Sequence, residues 1–318
     1  MISDKCESKQ NLRAQNVVAT SNQLKVLTKD GYIYSQNMAG ETGVLMPEKV
    51  EFIASGNDFC FIKEDNTLEC TSINIPAIPE NTKAKKVYLA AYASTVCYID
   101  MADKVHCLGK NHPDPQYGLA ETPGILKQAD YSNTQFADLR MDIYGRNACG
   151  ERLSDKTTVC FSDQPINPMI NNYLKPLNRV QEYALSFQKI YYIDEFGKLR
   201  ANVNVNPFGS STPLKFEHNF VLQGTKGDGR MVYSLITGGF EKENGINHLL
   251  CFIFTNKIYC SAEDQIKNEI IDLSKLKIDK PIKVTVSNNI ICGIEASGVF
   301  QCTNILGESD KRVEGFEG

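Results

Sequence analysis

The chain has 318 residues, a length that suits either two average domains or one large all-β domain. Its 42% apolar and 23% charged residues are typical of a folded globular protein, and no stretch approaches the roughly 18 to 20 apolar residues that a membrane-spanning helix needs. The net charge of −4 argues against a protein whose main task is to hold nucleic-acid phosphates.

Residues 1–14 are predicted to form an N-terminal extension, followed by a single domain over residues 15–318. The opening stretch MISDKCESKQ lacks the apolar segment of a secretory signal peptide, so we expect no export signal in it. Cys6 is not preceded by the small and apolar residues that usually flank a lipid-attachment cysteine. We interpret it as a spare thiol.

One outline then recurs seven times along the chain: a strand, a connection, and a hairpin of two further strands around a short turn. Seven copies in 318 residues average about 45 residues each, which is the period of four-stranded propeller blades. The copies occupy residues 15–35, 49–70, 85–107, 138–160, 179–201, 231–260 and 280–302.

Ten of the eleven cysteines form sequential pairs within these hairpins. If Cys60 stands opposite Cys70, then Phe61 stands opposite Glu69, and a short turn closes the hairpin. Directly opposed residues of antiparallel strands have Cα atoms about 4.5 to 5.5 Å apart, which is within the reach of a disulfide. The spacing therefore predicts five disulfides within hairpins: Cys60–Cys70, Cys97–Cys107, Cys149–Cys160, Cys251–Cys260 and Cys292–Cys302.

Two copies of the repeat carry other residues at the paired positions, namely Lys25 with Ser35 and Tyr191 with Ala201. Ten reduced core cysteines are the alternative interpretation, but independent core cysteines have no reason to stand in opposed pairs. No zinc or other metal site is predicted, because Cys-x-x-Cys is absent and the four histidines do not accompany the pairs. Disulfides indicate an oxidising, extracytoplasmic compartment: secreted, periplasmic or cell surface.

A single blade cannot bury both of its faces, whereas a closed ring of blades can. We therefore predict an all-β fold, a seven-bladed β-propeller with disulfides inside the blades. The segment 306–318 resembles an outer strand, and we predict that residues 312–316 complete a terminal blade beside the first one. Deletion of residues 308–318 is then expected to lower the thermal stability.

The stretches KDGYIYSQNMAGETGVL (29–45) and CLGKNHPDPQYGL (107–119) each lead from a hairpin into a glycine-containing tail. In these stretches the chain resembles the regulator-of-chromosome-condensation type of β-propeller. The cysteine on each hairpin strand is similar to secreted bacterial members of that family, although the usual tryptophan of the second hairpin strand is absent. The resemblance implies a propeller, and members of the family include an inhibitor that grips a secreted enzyme.

The longest insertions, 109–117, 202–212 and 238–248, fall between the first and second or the third and fourth strands of a blade. Such connections emerge together on one face of a propeller, here called the loop face. The short hairpin turns emerge on the opposite turn face. We predict that the loop face binds a partner. Its candidate residues are His112, Asp114, Tyr117, Phe208, Phe240 and His248.

These features predict a noncatalytic binding module of the cell envelope or extracellular space that recognises a protein or a glycan. We expect a monomer without a cofactor, and we assign no catalytic residue because no nucleophile-elbow, phosphate-loop or zinc-protease motif is present. Two alternatives stay open. One is a lyase or glycan hydrolase with carboxylates in the central channel, and the other is an exchange factor for a small GTPase, which paired cysteines disfavour.

Overall fold

A computed structural model of the protein describes residues 13–19, 23–37, 42–46, 48–55, 59–71, 78–90, 95–109, 134–142, 145, 147–162, 182–185, 189–193, 199–203, 232–242, 245–254, 256–263, 268–270, 276, 278–287 and 290–304. Cys6 and the predicted outer strand at 312–316 lie outside the described residues.

The described residues form strands that assemble into seven antiparallel sheets, in chain order. The first sheet contains β1 (Ala14–Ala19), β2 (Gln23–Thr28), β3 (Ile33–Asn37) and β4 (Thr42–Met46). The second contains β5 (Val50–Ser55), β6 (Phe59–Lys63) and β7 (Leu68–Cys70), and the third β8 (Ala84–Leu89), β9 (Val96–Asp100) and β10 (Val105–Leu108). The fourth contains β11 (Phe136–Met141), β12 (Asn147–Arg152) and β13 (Thr158–Ser162).

The fifth sheet contains β14 (Glu182–Leu185), β15 (Lys189–Ile193) and β16 (Leu199–Val203). The sixth contains β17 (Val232–Lys242), β18 (Gly245–Phe254), β19 (Lys257–Glu263) and β20 (Asn268–Ile270). The seventh contains β21 (Pro281–Ser287), β22 (Ile290–Glu295) and β23 (Phe300–Asn304). Each sheet corresponds to one predicted copy of the repeat.

The seven sheets are the blades of a closed ring. The first strand of each sheet contacts the first strand of the next sheet, and β21 contacts β1, so the series returns to its start. Apolar clusters fill the spaces between consecutive sheets. The cluster between the last and first sheets packs Cys292 and Phe300 against Val17 and Val26. The fold is an all-β propeller, as predicted, with β1, β5, β8, β11, β14, β17 and β21 as its inner strands.

The predicted disulfides and hairpin registers are confirmed. Cys60 pairs with Cys70 and Phe61 with Glu69, as the spacing required. The Cα atoms of the five half-cystine pairs lie 3.9 to 4.1 Å apart. The two copies without cysteines keep the same register, with Lys25 opposite Ser35 and Tyr191 opposite Ala201.

Every disulfide faces the next blade. Cys60 packs with Val87 of the third blade, and Cys97 packs with Leu139 of the fourth. The other three follow the same rule, and the last of them, Cys292–Cys302, faces the first blade. Because paired side chains share one face of a hairpin, the sulfurs cross-link the two strands on which the neighbouring blade is packed.

A repeated hydrogen bond joins four of the described hairpin turns to the inner strand of the next blade. The backbone N–H of Val50 donates to the carbonyl oxygen of Gly31 at 2.7 Å, and that of Ala84 donates to Asn66 at 2.9 Å. Phe136 makes the same bond to Asp103. All three acceptors have positive φ, between 65° and 90°, a conformation that glycine, asparagine and aspartate tolerate better than other residues.

A β-bulge follows the first residue of five inner strands. Val50, for example, pairs with Lys63, whereas the next paired residue, Phe52, stands opposite Ile62. One residue of the inner strand is therefore left out of the pairing. The bulge changes the direction of the strand at the corresponding position in each of these blades. The residues that follow the bulge are Asn16, Phe52, Lys86, Asp138 and Lys283.

Candidate functional site

The residues predicted for the loop face fall mostly in segments that the structure leaves undescribed. His112, Asp114, Tyr117 and Phe208 lie outside the described residues. The backbones of Phe240 and His248 are described, and they belong to strands β17 and β18. Their assignment as binding residues therefore stays a prediction.

The segment 238–248, predicted as an insertion between the first and second strands of its blade, belongs in its described residues to those two strands. It forms the end of a long hairpin, in which Gly239 pairs with His248, Phe240 with Asn247 and Lys242 with Gly245. Strand propensity depends on the partner strand, so glycines and charged residues do not prevent pairing here.

This hairpin extends beyond the sheet that supports it. Among the described residues, β19 pairs with β18 as far as His248, which stands opposite Glu263. Residues 240–242 and 245–247 therefore form a two-stranded ribbon, which we call the loop-face ribbon. Its three residue pairs correspond to a length of about 10 Å at roughly 3.4 Å per residue. Among the described connections between first and second strands, this ribbon is the most elaborate.

On the turn face, the acidic side chains of Asp65 and Asp155 accept hydrogen bonds from residues of their own turns. Asp65 accepts hydrogen bonds from the backbone N–H and the hydroxyl of Thr67, at 2.9 and 2.8 Å, and from Lys83 at 2.8 Å. The ammonium of Lys83, then the hydroxyl and N–H of Thr67, hold the pKa of Asp65 well below its usual range. Asp155 caps a second turn, where Thr157 and then Arg152 lower its pKa.

A polar cluster lies where the inner strands of the third and fourth blades meet. The Tyr88 hydroxyl donates to a carboxylate oxygen of Asp138, and the other oxygen lies 3.0 Å from Nη1 of Arg140. Lys86 lies 3.6 Å from the same carboxylate and donates to the carbonyl of Ala137 at 2.9 Å. Burial, and then the negative charge of Asp138, raise the pKa of Tyr88. Asp138 is thus held by three neighbours.

A second polar group belongs to the seventh blade. Nζ of Lys283 donates to Oδ1 of Asn16 at 2.8 Å. Burial, and then the positive charge of Arg140, lower the pKa of Lys283 to about 8. In the part of the chain that the structure describes, no carboxylate lies within ion-pair distance of Lys283. The inner strands of the fourth and seventh blades are not neighbours in the ring.

The described inner strands carry charges of both signs. Glu51, Asp138, Glu182 and Glu241 accompany five cations, Lys85, Lys86, Arg140, Lys242 and Lys283. Burial is the largest single effect and lowers the pKa of Arg140, but the negative charge of Asp138, together with Tyr183, Tyr88 and Glu182, outweighs it and raises the pKa of the guanidinium. Within the described ranges, no cluster of His, Cys, Asp and Glu side chains is suited to hold a metal ion.

Comparison with known proteins identifies a fold and no family. No family model matches the chain, and no curated protein matches its sequence. Human WBSCR16 is similar in structure, with a TM-score of 0.55 and 8% identity over 86% of this chain and 84% of that one. PorZ, a surface component of the type-IX secretion system of Porphyromonas gingivalis, has a TM-score of 0.54 and 13% identity, covering 96% of this chain and 38% of that one.

Yeast Prp20p is also similar, with a TM-score of 0.46 and 9% identity over 95% of this chain and 76% of that one. The chain spans less than two thirds of the receptor-kinase ectodomains that it resembles, 65% of Arabidopsis ACR4 and 62% of Physcomitrella CR4. At these identities the similarities describe the fold alone. The described residues include no helix long and apolar enough to cross a bilayer.

Proposed function

We propose that this protein is a noncatalytic binding module of the extracellular space or cell envelope, which recognises a protein or a glycan through its loop face. The loop-face ribbon is the observation that carries the proposal. A two-stranded ribbon that extends past its own sheet presents main-chain edges on a rigid ring, and such an arrangement suits partner binding better than it suits stability.

The extracytoplasmic location is part of the same proposal. Five formed disulfides are compatible with an oxidising compartment and are rare in the reducing cytosol. We extend the proposal to the repeat type: the motifs at 29–45 and 107–119 favour a member of the regulator-of-chromosome-condensation class. A disulfide-bonded member fits a secreted or surface role better than nucleotide exchange on an intracellular GTPase.

The experiment compares capture of partners from the envelope and secreted fractions of the source organism. The test variant replaces residues 240–247 by Asn-Gly, so that Gly239 and His248 are joined by a two-residue turn. The matched control alters the turn face at two exposed positions, Met101→Ser and Lys156→Ser, and leaves the ribbon intact.

We expect the ribbon variant to fold and to lose the partner that the wild type retains, while the turn-face control still captures it. Alanine substitution at His112, Tyr117 and Phe208 then maps the rest of the loop face. Capture of the same partner by the ribbon variant and the wild type, with equal affinity, would show that this proposal is wrong.

A further inference from the structure

The five disulfides differ in how far their outer half-cystines are buried. Each disulfide joins an inner half-cystine on the second strand of its blade to an outer half-cystine on the third strand. The outer half-cystines Cys70 and Cys107 are partly exposed and lie at the margins of their apolar clusters. The outer half-cystines of the other three disulfides are buried inside their clusters, with Cys160 6%, Cys260 1% and Cys302 4% exposed. The second and third blades thus carry the most accessible half-cystines.

The strand that carries the outer half-cystine also ends earlier in these two blades. Strand β7 ends at Cys70 itself, and β10 ends at Leu108, directly after Cys107. In the fourth, sixth and seventh blades the corresponding strands continue past the half-cystine, to Ser162, Glu263 and Asn304. The end of a strand opens at a lower free-energy cost than its interior. Burial and strand length therefore both distinguish the same two disulfides.

Thiol–disulfide exchange requires access to one of the two sulfurs. A thiolate attacks that sulfur, and the other sulfur leaves. At the second blade, the incoming sulfur forms a bond with Sγ of Cys70, the S–S bond breaks, and Cys60 leaves as a thiolate that takes up a proton. A second thiol then attacks the mixed disulfide, which releases the Cys70 thiol and joins the two reductant sulfurs in one disulfide. Cys60 is 0% exposed, so the attack occurs at Cys70.

We propose that Cys70 and Cys107 are sites of thiol–disulfide exchange, at which a small thiol reduces the disulfides of the second and third blades while the other three stay oxidised. The two disulfides border opposite faces of one blade. Cys60 packs on the third blade, and Cys97 packs from the third blade on the fourth. Reduction therefore removes a cross-link on both sides of the third blade. The exchange does not depend on the partner that the loop-face ribbon binds.

The test treats the native full chain with reduced glutathione, and separately with dithiothreitol. Samples taken at successive times are quenched with excess N-ethylmaleimide in guanidinium, and peptide mass spectrometry without reduction then gives the state of each cysteine. The three buried disulfides of the same molecule are the matched controls, since they meet the same thiol at the same concentration. Circular dichroism of each sample before the quench reports whether the chain is folded.

We expect Cys60–Cys70 and Cys97–Cys107 to react about tenfold faster or more than each of the other three disulfides, because buried sulfurs react only after local opening. Glutathione should be attached to Cys70 and Cys107, and N-ethylmaleimide to their partners.

Equal rates for all five disulfides, or reduction of none of them, overturn the proposal. Glutathione attached mainly to Cys60 and Cys97 does so as well, because the inner sulfurs would then be the accessible ones. Loss of the circular dichroism signal before the first adduct forms would show that unfolding admits the thiol, and would also overturn it.

Discussion

At the scale of single residues, Lys283 has the clearest energetic consequence. Its pKa is lowered to about 8 from the ordinary 10.5, first by burial and then by Arg140. The folded protein therefore binds fewer protons at this group than the unfolded chain does between about pH 8 and 10.5. The free energy of unfolding therefore rises with pH across that window. Below about pH 8, burial of the charged Lys283 ammonium costs the folded state up to about 3 kcal/mol.

We predict that Lys283→Met is more stable than the wild type at neutral pH, by about 1 to 3 kcal/mol, because the charged ammonium is costly to bury. The advantage should vanish as the pH rises through about 10. Guanidinium unfolding of both proteins with their disulfides intact, in a buffer without phosphate or carboxylates, measures the difference. Lys156→Met is the control at an exposed lysine, and a pH-independent advantage of Lys283→Met would contradict this account.

Gly298 is the residue on which the last hairpin turn depends. Its φ is +94°, and an added Cβ would lie 2.8 to 3.0 Å from atoms of Arg13 in the first blade. Its carbonyl accepts the hydrogen bond from the N–H of Ala14 at 2.8 Å. Both the backbone conformation and the close approach exclude a side chain here.

We expect Gly298→Ala to destabilise the protein by about 1 to 3 kcal/mol, because alanine is strained at positive φ and its methyl group displaces Arg13. Thermal unfolding measures the effect. Gly43→Ala is the matched control, since a Cβ at Gly43 meets nothing within 4 Å. Should both substitutions shift the melting temperature equally, the contact with Arg13 has no special importance.

At the scale of the hairpin, the first blade shows what stands in place of a disulfide. Lys25 and Ser35 occupy the opposed positions, and Nζ of Lys25 donates to the hydroxyl of Ser35 at 2.9 Å. Lys25 is only 7% exposed, and burial lowers its pKa. A polar pair thus replaces sulfur at the same register and separation of ten residues as Cys60–Cys70.

We predict that the double variant Lys25→Cys/Ser35→Cys oxidises spontaneously and is more stable than the wild type by about 2 kcal/mol, a typical value for a short disulfide loop. Removal of the buried lysine adds to this gain. Mass spectrometry after alkylation without reduction, followed by thermal unfolding, tests it. The control Lys25→Cys/Tyr34→Cys places two cysteines on opposite faces of the hairpin, because Tyr34 pairs with Val26, and it should remain reduced.

The hairpins could be predicted from the sequence because cysteine spacing determines their register directly. The ring followed from the number of copies, since each blade needs a neighbour on both sides. The bulges were missed: in four of the five strands, the residue before the bulge donates its N–H to a turn carbonyl of the neighbouring blade, a contact that the sequence alone does not reveal.

At the scale of the whole molecule, the junction between the seventh and first blades differs from the other six in connectivity. Blades two and three follow each other along the chain, whereas blades seven and one meet through hydrogen bonds and apolar packing. The described contacts include Nη1 of Arg13 to the carbonyl of Ser297 at 2.9 Å, Nζ of Lys29 to that of Ala296 at 2.7 Å, and the apolar cluster around Phe300. We expect this seam to open without unfolding any blade.

Hydrogen exchange of two equivalent amides tests this expectation. The N–H of Ala14 donates to the Gly298 carbonyl at 2.8 Å across the seam, and that of Ala84 donates to the Asn66 carbonyl at 2.9 Å across a junction that the chain spans. The two bonds have the same geometry and position. We predict that Ala14 exchanges about tenfold faster or more, because opening of the seam requires less free energy than separation of two blades that the chain connects.

Deletion of residues 308–318 extends the comparison to the predicted outer strand at 312–316. If that strand closes the ring, its loss should accelerate exchange at Ala14 while Ala84 keeps its rate, because the deletion removes support from the seam alone. Exchange at Ala14 as slow as at Ala84, in both the full chain and the shortened one, would mean that the seam is as stable as a covalently connected junction. Equal acceleration at both amides would instead assign the deleted segment to the stability of the whole ring.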